Sequence, residues 1–200
     1  GVMSVTGTPE TAPLRVGYPM ADTIGGMTAA FAVASALGNK DPNNRGCFID
    51  VSMLESVLST MGWVVSNFLQ LGMEQKPMGN DNFTASPSGT FRTGDGPINL
   101  AANKQEQFEA VCDVVGRPDL KTDPRFAERQ ARLDNRQELT ALLEDAMATN
   151  TANHWRAALN AAGVPAGEVL TVPQILAHPQ IADRGLIATF ENVPGVGRDV

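Results

Sequence analysis

The 200-residue chain is 42% hydrophobic and 18% charged, which describes a globular protein long enough for one sizeable domain or two small ones. Its net charge of -7 and its scattered acidic residues argue against nucleic acid as a partner, since a binding face would need a clustered basic patch. The longest largely apolar run, residues 24–37, is too short and too rich in glycine for a bilayer span, and no membrane partner is expected.

The first predicted element is a helix opened by residues 18–27, in which Asp22 precedes the glycines Gly25 and Gly26. Apolar residues then recur at spacings of three and four, and the helix is predicted to end at Gly38. Asp22 has two interpretations from these residues alone. Its carboxylate can cap the free N–H groups at the start of the helix, where the helix dipole favours negative charge. The same position can present an ionised carboxylate to a ligand, because the glycines leave room around the first turn.

The second predicted helix is amphipathic, and we expect it to begin after Ser52 and to end at Gly72. Ser52 and Glu55 form the capping-box pattern, in which each side chain can bind the other residue's free backbone N–H. Such a helix with one apolar stripe is typical of a protein core or a subunit interface rather than of a cofactor site. The stripe consists of Leu54, Val57, Leu58, Met61, Val64, Val65, Phe68 and Leu69.

A change of composition after this helix divides the chain. Residues 1–72 are predicted to form one domain, and residues 73–88, rich in Pro, Gly and Asn, a linker or active-site loop. Residues 89–200 are predicted to form a small α+β domain. It opens with a β-hairpin around Gly94-Asp95-Gly96 and continues with helical segments.

Within the predicted small domain, helix boundaries follow from capping residues. Asp134 with Gln137 matches a capping box and predicts one helix start, and Thr151 is predicted to cap the next helix. Inward-facing positions follow the helical period in each segment, which predicts a common core. They are Phe108, Val111, Cys112, Val115, Leu139, Leu142, Leu143, Met147, Trp155 and Leu159.

Standard nucleotide-binding, hydrolase and metal-binding motifs are absent from the sequence. His154 and His178 lie in separate segments without partners at metal or catalytic spacing, so we expect structural roles for both and no metal site. Cys47 and Cys112 form neither a CxxC pair nor a disulfide framework. Each is expected to be a small buried apolar residue in a reducing compartment.

Asp22 and the loop at residues 79–89 remain as the candidate site, provided that the fold brings them together. The chain runs from Gly1 to Val200 with neither a natural start nor a tapering end, so we expect it to be a piece of a longer protein. Because no signal peptide opens the chain, a cytoplasmic location is expected.

Short motifs form an ordered series along nearly the whole chain. They include Tyr18-Pro19-Met20-Ala21-Asp22 within residues 13–22, and the further motifs are residues 2–7, 26–27, 46–53, 79–80, 89–91, 95–96, 103–108 and 163–167. This series resembles the class III CoA-transferases, the family of formyl-CoA transferase and of the carnitine and bile-acid CoA-transferases. The resemblance is specific, because so many motifs in one order are hard to reach by chance.

The resemblance implies an α/β fold with an α+β part: residues 1–72 belong to a Rossmann-like large domain, the small α+β domain follows, and full-length members form interlocked homodimers. It also implies that Asp22 is the catalytic residue. In the family this carboxylate attacks an acyl-CoA thioester to give an anhydride and then an aspartyl-CoA thioester, from which an acceptor carboxylate takes the CoA. The expected partners are therefore acyl-CoA and a small carboxylic acid, with CoA as substrate and no permanently bound cofactor.

Gly79, Asn80 and Asp81 are the residues for which the resemblance implies substrate binding. In formyl-CoA transferase a glycine-rich loop covers the reactive anhydride, whereas residues 81–89 here contain no consecutive glycines. We therefore expect a specificity other than formyl-CoA and oxalate. In the family a nucleotide-binding half precedes the matched region and a further segment follows it, so the 200 residues alone are expected not to turn over acyl-CoA.

Two alternatives remain. A 2-methylacyl-CoA racemase of the same family has an aspartate in a similar setting, but uses it as an acid and base at the carbon next to the thioester. The motifs near residues 53–61 and 103–108 favour the transferase. In the other alternative the chain is a non-catalytic fragment or assembly domain in which Asp22 is only a cap, and Asp22→Ala would cost about 1 kcal/mol of stability and little activity.

Overall fold

A computed structural model describes residues 1–39, 45–190 and 193–194, and the chain divides into two compact units. The N-terminal unit is Gly1–Asn80 and the C-terminal unit is Asp81–Val200. Their boundary falls inside the segment predicted as a linker, residues 73–88. Helices and strands are both present, in agreement with the expected mixed fold class.

The N-terminal unit is helical in its described residues. After a short 3-10 helix at Val2–Val5 come α1 at Met20–Gly38, α2 at Met53–Thr60 and α3 at Trp63–Leu71. Helices α1 and α2 pack against each other. The predicted N-cap of α2 is confirmed, because the Ser52 side chain accepts a hydrogen bond from the Glu55 backbone N–H at 3.3 Å.

The prediction of a single helix between Ser52 and Gly72 was wrong, because the structure has two helices there. Helix α2 ends at Thr60, and α3 starts after Gly62, whose φ of +48° and ψ of -115° no helix contains. Glycine adopts this conformation without the steric cost that a β-carbon would bring. The apolar period continues across the break, so periodicity alone could not detect it. Gly72 does end α3, in the left-handed conformation with φ +65°.

Helix α1 also differs from the sequence expectation in length. With 19 residues it is long and apolar enough, by length and composition alone, to cross a membrane, whereas the apolar run was expected to be too short. The difference arises because the helix begins before the run. Core helices of soluble proteins and signal sequences near an N-terminus share these properties, so one such helix is a weak indication of a membrane.

The C-terminal unit contains a three-stranded antiparallel sheet surrounded by helices. The strands lie in the order β1-β2-β3, with Phe91 opposite Ile98 and Asn99 opposite Gly167. Its elements are β1 at Ser88–Arg92, β2 at Pro97–Ala101, α4 at Gln105–Val114, a 3-10 helix at Pro118–Lys121, α5 at Arg129–Asp134, α6 at Arg136–Met147, α7 at Ala152–Ala161, β3 at Ala166–Glu168, α8 at Val172–Leu176 and α9 at Pro179–Asp183.

The predicted hairpin between β1 and β2 is confirmed, and its turn contacts the start of α7. The Gly94 N–H donates to the Asn150 carbonyl at 2.9 Å, and a β-carbon on Gly94 would lie 2.9 Å from the carbonyl oxygens of Ala148 and Asn150. Only glycine fits at this distance. The Asp95 carboxylate accepts from the Ala152 N–H at 2.7 Å, so the turn also caps the helix.

The hydrophobic core of the C-terminal unit joins the sheet to α4, α6 and α7. Every inward position predicted in these helices is buried except Leu142, which packs partly buried against the core. The principal side chains are Phe91, Ile98, Leu100, Phe108, Val111, Cys112, Phe126, Leu139, Leu143, Met147, Trp155 and Leu159.

Two local predictions in this unit had different outcomes. Thr151 caps α7 as predicted, and its hydroxyl oxygen accepts from the His154 N–H at 3.2 Å. The capping box at Asp134 was wrong, because Asp134 is the last residue of α5 and α6 begins after Asn135. The sequence pattern is compatible with a helix start at Asp134, but in the structure Asp134 belongs to the last turn of the preceding helix.

The two cysteines lie in different environments. Cys112 is buried in the core as expected, and burial raises the pKa of its thiol to about 12. Cys47 is exposed, so the prediction that it is buried was wrong. It follows the undescribed residues 40–44 in an irregular segment that no described element covers.

Candidate functional site

A cleft of about 220 Å³ lies in the N-terminal unit around the start of α1. The 3-10 helix, the segment leading into α1, the first turn of α1 and one residue of α2 form its wall. The wall is largely apolar and carries three polar side chains. Its residues are Val2, Met3, Arg15, Val16, Tyr18, Pro19, Met20, Ala21, Asp22 and Val57.

Asp22 lies in the first turn of α1 and not at its N-cap. The helix begins at Met20 with Pro19 as the N-cap residue, so the prediction that Asp22 caps the helix was wrong. Proline fits there because its ring fixes a φ compatible with the helix start. The Asp22 side chain is exposed, and within the described residues it forms neither a hydrogen bond nor an ion pair. Its carboxylate is therefore available to a ligand in the cleft.

The helix dipole adds to this availability. Asp22 is the acidic residue of the first turn, where the unpaired backbone N–H groups give the helix end a partial positive charge. This field stabilises a negative charge in the first turn. An anionic nucleophile can therefore be held there without an ion-pair partner that would block its oxygen atoms.

The two glycines after Asp22 have separate roles. Gly25 is buried, and a β-carbon there would lie 3.0 Å from Cγ of Met53, so Gly25 permits the close approach of α1 and α2. Gly26 is exposed, and a β-carbon there would have no described atom within 4 Å. Because Gly26 follows Asp22 by four residues, both lie on the same helix face. The space beside the carboxylate is thus free on that face.

Gly79, Asn80 and Asp81 do not line this cleft. Gly79 belongs to the N-terminal unit, where its N–H donates to the Gly7 carbonyl at 2.6 Å and its φ is +62°. Asp81 belongs to the C-terminal unit and forms an isolated antiparallel bridge with Gly89. Substrate binding by these three residues stays a prediction.

Three arginines hold the loop that follows Asp81, and sequence analysis did not single them out. Arg129, Arg136 and Arg132 donate to the carbonyl oxygens of Thr84, Ala85 and Ser86 in turn, at 2.8, 3.2 and 3.0 Å. In the sequence the arginines are three and four residues apart, a spacing typical of one helix face, although the structure divides them between α5 and α6. Their acceptors are backbone atoms more than forty residues away and leave no sequence signature.

The histidines have local contacts in agreement with a structural role. The His178 Nδ1 atom accepts from the Gln180 N–H at 3.2 Å at the start of α9, and His154 stacks edge-on against Trp155. Among the residues that the structure describes, no three His, Cys, Asp or Glu side chains are grouped closely enough to hold a metal ion.

The chain matches known proteins over almost its whole length. The model of CoA-transferase family III matches residues 1–197. The acetyl-CoA:oxalate CoA-transferase of Acetobacter aceti is 35% identical over 201 residues, which cover 100% of this chain and 52% of that protein. The succinyl-CoA:glutarate CoA-transferase of Homo sapiens is 29% identical over 99% of this chain and 45% of that protein.

Solved structures share the fold. The crystal structure of a CAIB/BAIF family protein from Brucella suis superposes with a TM-score of 0.83 at 32% identity, covering 94% of this chain and 50% of that chain. The chain thus spans about half the length of the relatives it matches.

Proposed function

Because the chain belongs to CoA-transferase family III, we propose that the complete protein transfers CoA from an acyl-CoA thioester to a carboxylic acid, with Asp22 as the covalent nucleophile. The observation that carries this proposal is the setting of Asp22. It is an exposed carboxylate in the first turn of a helix, inside an apolar cleft and without a bonding partner among the described residues. A nucleophile requires such unoccupied oxygen atoms.

The proposed reaction is a series of acyl exchanges in which no redox partner is required. An Asp22 oxygen attacks the thioester carbonyl carbon, the C–S bond breaks, and CoA leaves as a thiolate, which gives a mixed anhydride. The thiolate then attacks Cγ of Asp22 and releases the donor acid as its carboxylate, so that Asp22 carries CoA as a thioester. Dividing the transfer in this way replaces one difficult step by easier ones.

The acceptor half repeats these exchanges in reverse. The acceptor carboxylate attacks Cγ of the aspartyl thioester and expels the thiolate, which gives a second anhydride. The thiolate attacks the acceptor's acyl carbon, forms the product thioester and releases the Asp22 carboxylate. Water must be kept from both anhydrides, because hydrolysis would end the cycle. We propose that the loop at Gly79, Asn80 and Asp81 contributes to this cover and to substrate contacts.

The proposed acceptor is a small carboxylic acid. The two relatives described above are named for oxalate and glutarate, both of them dicarboxylic acids. The cleft of about 220 Å³ provides room for an acid of this size beside Asp22. Coenzyme A enters the proposal as part of the substrate.

Chemical trapping tests the covalent step. The complete protein is incubated with acyl-CoA and then with hydroxylamine, which converts an aspartyl anhydride or thioester to a hydroxamate, and peptides are analysed by mass spectrometry. We expect the modification on Asp22. Asp22→Asn should lose the modification and about 10³-fold or more of the turnover rate. Asp50→Asn is the matched control, since Asp50 is exposed in the same unit and outside the cleft.

Full turnover with an unmodified Asp22 would contradict the proposal. In that case, exchange of the proton next to the thioester carbonyl of a 2-methylacyl-CoA with deuterium from solvent would favour the racemase. Unchanged turnover by a folded Asp22→Asn variant would exclude both roles for this carboxylate.

A further inference from the structure

The cleft contains a second charged side chain besides the proposed nucleophile. The wall carries the carboxylate of Asp22 and the guanidinium of Arg15. Arg15 lies in the segment that leads into α1. The other wall residues are apolar apart from the Tyr18 hydroxyl. Both side chains are exposed, so their charged groups can contact a ligand that enters the cleft.

Arg15 is unpaired, unlike most described arginines. Arg92 pairs with Glu144 at 2.7 Å, Arg117 with Asp119 at 2.7 Å, and the buried Arg132 donates to four backbone or side-chain oxygens. Arg15 has no hydrogen bond or ion pair with any described residue. Its guanidinium is therefore as available to a ligand as the Asp22 carboxylate.

A guanidinium in this position selects a carboxylate. Its planar fork binds both oxygens of a carboxylate at once, and the bond is strengthened where apolar surroundings displace water. Asp22 would repel a second carboxylate while it is ionised. Once Asp22 carries CoA as a thioester it is neutral, and an acceptor can enter with one carboxylate directed to Cγ.

We infer that Arg15 binds the non-reacting carboxylate of a short dicarboxylic acid acceptor and so determines the acceptor specificity of the cleft. This inference rests on the proposed function, because it requires Asp22 to hold CoA in an uncharged form. Arg15 fixes one end of the acceptor and leaves the other end free to attack. A monocarboxylic acid of equal length lacks this fixed end.

The test compares acceptors that differ in one carboxylate. Transfer to glutarate and to pentanoate is measured with the complete protein and with Arg15→Gln. We expect kcat/KM for glutarate to fall about tenfold to hundredfold, mainly through KM, since one charged hydrogen-bonded contact is lost. For pentanoate we expect a change of less than about threefold. Arg15→Lys keeps the charge but loses the fork, and should retain part of the preference.

Arg184→Gln is the matched control, because Arg184 is exposed in the other unit, outside the cleft. It should leave both acceptors unchanged. Circular dichroism checks the fold of each variant, and Arg15→Lys provides the test should Arg15→Gln not fold. An unchanged ratio of glutarate to pentanoate, or an equal loss for both acids, would overturn the inference.

Trapping with hydroxylamine separates this inference from the proposed function. If wild-type protein and Arg15→Gln both form the Asp22 adduct with acyl-CoA while acceptor preference is unchanged, the role of Arg15 alone is wrong. If wild-type protein forms no adduct, the nucleophilic role of Asp22 fails, and the inference fails with it.

Discussion

The two units differ in how they bury apolar side chains. In the C-terminal unit, large side chains such as Phe108, Leu139 and Leu143 are fully buried. In the described part of the N-terminal unit, the buried residues are Gly25 and Ser56, whereas Phe31 of α1 is 74% exposed. One unit therefore has a hydrophobic core of its own and the other presents its apolar helix faces to solvent.

This difference separates the hydrophobic core from the candidate site. The core belongs to the C-terminal unit, but the cleft with Asp22 and Arg15 belongs to the N-terminal unit. A domain with so few buried apolar residues gains too little from burial to offset its conformational entropy. Since the chain spans about half the length of its relatives, we expect the cleft to take its final shape only when further protein covers these helix faces.

The largest expected effect comes from separating the units. Residues 81–200 alone should unfold cooperatively in urea, because the core lies within them, whereas residues 1–80 alone should show no cooperative transition. Each fragment carries one tryptophan as a fluorescent probe: Trp155 is buried in the core and Trp63 is half-exposed on α3. A sharp transition of Trp63 in residues 1–80 would contradict the comparison.

A matched pair of leucines gives the next largest effect. Leu143→Ala in α6 removes a fully buried side chain and should lower the free energy of unfolding of the 200-residue chain by about 2–5 kcal/mol. Leu69→Ala in α3 should change it by about 0.5 kcal/mol or less, because Leu69 is 76% exposed. Urea unfolding followed at Trp155 measures both, and equal losses would show that the units share one core.

The arginines that hold the loop at residues 84–86 provide a smaller contrast within the C-terminal unit. Arg132 is buried over the Phe108 ring and donates to the Ser86, Phe126 and Ala127 carbonyl oxygens, so Arg132→Met should cost about 2–4 kcal/mol by leaving buried acceptors unpaired.

Arg129→Met is the control for this prediction. Arg129 is exposed and makes one bond to the loop, so the cost should be about 1 kcal/mol. Thermal unfolding of both variants gives the comparison. Equal costs would mean that burial of the Arg132 guanidinium is too unfavourable to leave a net gain from its hydrogen bonds, in line with the lowered pKa that desolvation gives this group.

The sequence predicts those parts of the fold that local patterns determine. The hairpin at Gly94, the end of α3 at Gly72 and the cap at Thr151 each depend on a few neighbouring residues, and each prediction is confirmed. The break at Gly62 was missed, because the apolar period continues through it and only the backbone conformation reveals it.

The candidate site depends less on local pattern. Asp22 was singled out as a cap or a presented carboxylate, and the structure removes the cap by starting α1 at Met20. Arg15 gave no signal in the sequence, since an arginine in a loop is ordinary, and only the structure shows that it lines the same cleft as Asp22. The contacts of Arg132 could not be predicted for a similar reason. Its acceptors include a backbone carbonyl oxygen distant in sequence, and every residue type provides such an oxygen.

The smallest expected effect comes from removing the hydroxyl group that caps a helix. Each unit contains a helix with such a cap. Thr151 and Ser52 each accept a hydrogen bond from the backbone N–H of the third residue of their helices, at 3.2 and 3.3 Å. Thr151→Ala should lower the free energy of unfolding by about 1 kcal/mol. Ser52→Ala should have no measurable effect on that transition in the 200-residue chain, because α2 lies outside the cooperative core. In the complete protein, where we expect further protein to cover α2, the Ser52 cap should contribute about as much as the Thr151 cap. Urea unfolding of both variants in both proteins measures this difference, and a full loss for Ser52→Ala in the 200-residue chain would show that the N-terminal unit is already stably packed by itself.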